Sequence, residues 1–202
     1  MIIVIGIILA IFAFLYFSKK NTANPKTELT EKEYRAKGTI FYHEDDFCQI
    51  EIVPKENLSE LLKQADNIND FTAENGYKDI YVREENKVSL KTKQIDKSKL
   101  ENLLAKLGTE KHTEITTGYG SDYRVKSENT IGFGKDYSAI YFDFDNELVN
   151  NIWITNLFGL NHANAVNVLS EIGEKWNLVM MDWNRSELID LSNKKMIEKY
   201  LK

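Results

Sequence analysis

The hydrophobic pattern changes character twice along the chain. From Ile2 to Phe17 it is unbroken, with no charge and only Gly6 and Tyr16 diluting it. A helix over this run spans about 24 Å, slightly less than the hydrocarbon core of a bilayer. Tyr16 and the snorkelling stems of Lys19 and Lys20 offset the difference. No cation precedes the run and no small-x-small pair follows it, as a cleaved signal would require. The pattern therefore predicts an uncleaved transmembrane helix, an anchor over residues 1–18. Lys19, Lys20 and Lys26 on its carboxyl side place the rest of the chain in the cytoplasm. The expected location is a bacterial inner membrane crossed once, with residues 2–17 as the membrane contact.

Residues 19–37 are polar, include Pro25, and keep no apolar period, which predicts a tether. From Gly38 the pattern alternates between periods of two and about 3.6, the mark of mixed strands and helices. A single α+β domain over 38–202 follows, with β-hairpins packed against about four helices. Residues 39–43 and 47–53 predict a hairpin across Glu44-Asp45-Asp46, with Cys48, Ile50 and Ile52 on one face. Leu58, Leu61, Leu62, Ala65, Ile68 and Phe71 mark a helix ending at Asn75-Gly76. A second hairpin is predicted over 79–83 and 88–92. A helix over 97–107 follows, capped by Asp96 and closed by Gly108. Residues 112–117 read as a strand.

Residues 138–145 and 148–155 give the clearest hairpin, with Ile140, Phe142 and Phe144 inward and Tyr141, Asp143 and Asp145 on a solvated face. Ala165, Val166, Leu169, Ile172 and Trp176 form the stripe of a third helix. Leu178–Met181 is continuously apolar, as in a strand covered on both faces. Residues 188–191 and a last helix over 194–201 end the domain.

Charge narrows the function. The balance is −5, from 26 basic and 31 acidic residues, so phosphate backbones would be repelled and no nucleic-acid partner is expected. A protein partner with a basic face would be attracted. Cys48 is the single cysteine, which excludes an internal disulfide.

Candidate chemistry is sparse. His43-Glu44-Asp45-Asp46, with Glu51 nearby, is the one cluster suited to metal or acid–base work, but turn carboxylates are easily solvated. The other histidines, His112 and His162, match no zinc spacing. Asp143–Glu147 lacks the glycine and the distal glutamate of a calcium loop. No G-x-S-x-G elbow is present. No cofactor and no catalytic or metal residue is expected.

A more specific feature is an internal echo, T-x-G-[YF]-G-x-D-Y, at 116–123 and again at 130–137. Glycines that release φ and an Asp that closes a turn predict two strand ends side by side. Their aromatic and acidic residues, Tyr119, Asp122, Tyr123, Phe133, Asp136 and Tyr137, together with Asp143 and Asp145, make the candidate partner-binding patch. Aromatic side chains that merely pin the loops to the sheet are the structural alternative.

The stretch FYHEDDFCQIEIVPKEN with its following helix, and the closing LVMMDWNRSELIDLSNKKMIEKYL, are similar in style to small bacterial immunity proteins. These accompany the toxins of contact-dependent and secretion-delivered systems. The resemblance implies a non-enzymatic α+β protein that neutralises one cognate toxin by binding, and it carries over no functional residue. The expectation is a membrane-tethered binding protein of that kind. The alternatives are an envelope-associated structural or assembly factor, and a hydrolase working near His43.

Overall fold

Ten strands in two sheets and four α-helices make up the computed structural model, which describes residues 40–76, 79, 81–120 and 124–202. The strands are β1 (Ile40–His43), β2 (Ile50–Pro54), β3 (Lys111–His112), β4 (Ile115–Gly118), β5 (Arg124–Ser127), β6 (Thr130–Lys135), β7 (Ser138–Asp145), β8 (Leu148–Ile154), β9 (Leu178–Asp182) and β10 (Glu187–Asp190). The helices are α1 (Leu58–Asn75), α2 (Lys97–Leu104), α3 (His162–Trp176) and α4 (Lys194–Tyr200). Seven strands form an antiparallel sheet in the order β10-β9-β2-β8-β7-β6-β3, and β1-β4-β5 form a smaller one.

The large sheet is covered on both faces. On one, the leucines of α2, the stripe of α3 and Ile197 of α4 enclose Ile50, Ile52, Ile140, Phe142, Ile152 and Met180 in the main core. The other face is divided. Leu61 and Ala65 of α1 pack on Val53, Val179, Met181 and Trp183, while β1 and β4 lay Ile40, Tyr42 and Ile115 on Ala139, Tyr141 and Trp153. Side-chain caps start the helices as their sequences require: Asp96 accepts from the Lys99 amide and Asn161 from the Asn164 amide.

The α+β class, the four helices and the doubly covered β9 agree with the sequence pattern. The expected transmembrane helix does not: among the described residues no helix is long and apolar enough to cross a membrane. The longest, α1, carries Glu60, Lys63, Asp66, Asp70 and Glu74 over its length, a polar face that hydrocarbon would not accept. The span read over 2–17 and the tether over 19–37 lie outside the described residues.

Three strand pairings also differ. β1 and β2 form no hairpin: β1 pairs parallel with β4, and the chain crosses to the large sheet through a 3-10 turn over Glu44–Asp46. Cys48 has φ of 55° and leaves the pleat, so it faces Tyr42 and Trp153 instead of sharing a face with Ile50 and Ile52. No hairpin forms over 79–92 among the described residues; an irregular strap ends in a 3-10 turn, Leu90–Lys93. The strand expected over 112–117 is split between the two sheets at Thr113-Glu114.

Candidate functional site

Of the eight residues of the sequence-predicted patch, the six that are described do not converge. Asp122 and Tyr123 lie outside the described residues. Phe133 points into the main core, because the second echo continues as a strand where the first breaks at Gly118, whose φ is 147°. Gly132 of that second copy seats the small sheet: a Cβ there would meet Ile40 at 2.7 Å and Tyr141 at 2.9 Å. Tyr119 is exposed and meets His43 edge-on at 5.7 Å. Asp145 is exposed at the far end of β7 from Tyr137, roughly 26 Å along an extended strand.

Asp143 is half-buried. Asn151 donates its amide and its side-chain Nδ2 to the carboxylate at 2.9–3.1 Å, and burial pushes the Asp143 pKa up against those bonds. The face read as solvated is a second core at Tyr141, and only Asp145 is wet. Asp143→Asn sets an NH2 group against the Asn151 donors, so urea denaturation should register a loss of about 1–2 kcal/mol. Asp145→Asn should stay within about 0.5 kcal/mol. Equal and negligible effects would show that the Asn151 bonds carry no stability.

Asp136 and Tyr137 fare differently. Asp136, at φ of 53°, turns the chain from β6 into β7, and Tyr137 is left 59% exposed. That turn is laced to the loop between β8 and α3. Thr155 Oγ1 and Asn156 Nδ2 both donate to the Tyr137 carbonyl, Ser138 Oγ donates to Asn156 Oδ1, and the Phe158 and Gly159 amides donate to Asn156 Oδ1 and Ser138 Oγ. The lacing fixes a second aromatic, Phe158, 78% exposed. The acidic turn Glu44–Asp46 follows β1. Phe47, next in the chain, packs edge-on against Trp153 at 4.9 Å and is partly exposed. Tyr137 and Phe158 thus form an exposed aromatic ridge on two loops joined by hydrogen bonds, with Asp136 beside Tyr137 in its turn.

His43 belongs to this turn as a structural part. Its Nδ1 accepts from the Asp45 amide at 3.2 Å, capping the 3-10 turn. Glu51, grouped with it by sequence proximity, lies on the large sheet. Among the described residues no three His, Cys, Asp or Glu side chains are placed to hold a metal ion.

Two cavities accompany the ridge. One, of about 340 Å³, opens beside Phe158 between the end of β9, the start of α3 and the end of α4. The other is a cleft of about 670 Å³ lined by β2, β8 and the strap. Its wall holds a cluster that sequence reasoning missed. Trp183 Nε1 donates to Glu51 Oε1 at 2.7 Å, Asn86 Nδ2 to Oε2 at 3.3 Å, and Arg83 Nη1 lies 3.6 Å from Oε1 with its guanidinium over the Trp183 ring. Burial raises the Glu51 pKa, and the Trp183, Arg83 and Asn86 contacts pull it back. Burial likewise pushes the nearby Cys48 thiol up, which makes it a poor nucleophile. The available signal for this cluster was a single charge in mid-strand, Glu51 between Ile50 and Ile52.

Comparison with known protein families, curated proteins and solved structures finds no match.

Proposed function

We propose that this chain is a non-enzymatic binding protein that neutralises a partner protein presenting a basic surface, in the manner of a toxin-specific immunity protein. The observation that carries the reading is the pair Tyr137 and Phe158, both more than half exposed and both with their backbone fixed by the Asn156–Ser138 network. Rigid exposed aromatics lose little conformational entropy on binding and are frequent interface anchors. Asp136, beside Tyr137 in its turn, and the overall charge of −5 add long-range attraction for a cationic face and a salt-dependent association rate. His43 is engaged in capping its own turn, which supports a structural role for that residue over a hydrolytic one.

The test uses the full chain and a Tyr137→Ala/Phe158→Ala variant as paired baits in the native host, with captured proteins identified by mass spectrometry. The expected result is a partner rich in lysine and arginine, captured by the parent and weakened at least a hundredfold with the variant. That partner should arrest growth when expressed alone and cease to do so beside this chain. Equal capture by both baits would remove the ridge from the interface. A partner with an acidic binding face, or one harmless to the cell, would overturn the reading.

A further inference from the structure

The cavity beside Phe158 has a chemistry of its own. Its walls include Ile50, Ile154, Leu157, Leu160 and Leu201, all apolar, and its volume of about 340 Å³ is that of a small-ligand pocket. At roughly 30 Å³ per non-hydrogen atom it suits a body of about eleven such atoms. The polar groups are unequally placed. Asp182 is 2% exposed and already satisfied: the Asn184 and Arg185 amides donate to its Oδ1 at 3.0 and 3.3 Å, and the Tyr200 hydroxyl donates to Oδ2 at 2.8 Å.

Arg185 is different. Its Nε lies 3.7 Å from Asp182 Oδ2, and its guanidinium stacks over the Tyr200 ring at 5.2 Å, yet the side chain keeps 51% of its surface. The guanidinium is thus oriented on the pocket lining with donors to spare, and the exposed His162 ring lies in the same lining. An oriented arginine suits a carboxylate because its planar fork matches two oxygens at once.

We propose that this pocket binds a small amphiphilic carboxylate, its apolar body along Ile50, Ile154 and Leu157 and its head on Arg185. The carboxylate meets a guanidinium whose counter-charge, Asp182, touches it only through Nε at 3.7 Å and gives its closer contacts to two amides and a phenol. A neutral head gains only the apolar burial, and an ammonium head faces Arg185 as a like charge. The site is distinct from the ridge reading, sharing with it Phe158 and the lacing residues Thr155 and Asn156.

Calorimetric titration of the full chain with octanoate, octanol and octylamine tests the assignment. Octanoate should bind with a Kd on the order of 10–100 µM, at least tenfold tighter than octanol, with octylamine weakest. Arg185→Gln should bring octanoate within about twofold of octanol while leaving octanol unchanged. Should that variant fail to fold, the order of the three ligands on the parent chain still decides. Equal binding of all three would make the pocket a purely apolar socket, and a preference for octylamine would give the head to Asp182. Either result overturns the proposal, as does the absence of heat with millimolar octanoate.

Discussion

Met181→Asp should leave the chain largely unfolded. Met181 is fully buried in β9, with Glu51 of β2 on one side and Leu188 of β10 on the other. α1 seals it from above in the cluster of Val53, Leu61, Ala65 and Val179. An aspartate there has no cationic partner among those neighbours and lies directly across from a second carboxylate, Glu51. Burying an unpaired polar or charged group costs several kcal/mol, and a domain of this size holds about 5–15 kcal/mol in total. Met181→Leu, which keeps the volume, should lose less than about 1.5 kcal/mol. Urea titrations followed by far-ultraviolet circular dichroism compare the three chains. A cooperative transition in the aspartate variant within about 1 kcal/mol of the parent would mean that α1 does not cover β9.

The expectation for Met181 came from the chain itself, since Leu178–Met181 is apolar without interruption. Local signals of that kind survived: the helix stripes, the Asp96 cap, the β7–β8 hairpin and the left-handed Gly108. What the sequence could not carry was which strands meet. Glu44–Asp46 looks like a hairpin turn, and nothing within it says that β1 will pair in parallel with a strand more than seventy residues on. The alternation in β7 marked Tyr141 as polar-facing because tyrosine and aspartate share that face. Only the arrival of the small sheet makes it a second core.

The same ignorance of pairing explains the site. The echo sequences share residues but not surroundings, so Phe133 is buried where Tyr119 is exposed. Asp136 and Tyr137 were legible as turn residues. Phe158 was not, because its role depends on Asn156 reaching across to the Tyr137 carbonyl.

Glu51 offers the other large effect, and its size depends on pH. Glu51→Ala removes the acceptor of the Trp183 indole, leaves Arg83 beside an aromatic ring with only its bond to the Cys48 carbonyl, and releases Asn86, so two ties of the strap to the sheet vanish together. Removing one partner of a buried ion pair costs about 3–5 kcal/mol. Glu51→Gln keeps an oxygen for the indole and loses the charge, so its cost should be markedly smaller.

The two chains also part in their response to pH. The Glu51 pKa in the folded protein lies above the ordinary value of 4.5, so the folded state holds this proton more tightly than the unfolded one. Its stabilising contribution is complete below about 4.5 and is lost as pH rises through the raised folded value. Asp143, raised in the same sense, and the depressed carboxylates Asp96 and Asp190 are present in both chains, and their effects cancel in the difference. The stability of the parent relative to Glu51→Gln should therefore fall as pH rises above about 4.5 and level off once Glu51 is ionised in both states. A difference that is flat with pH would mean that Arg83 and Trp183 compensate the buried charge in full. A difference that rises with pH would mean that they more than compensate it, and that the strap is held as an ion pair.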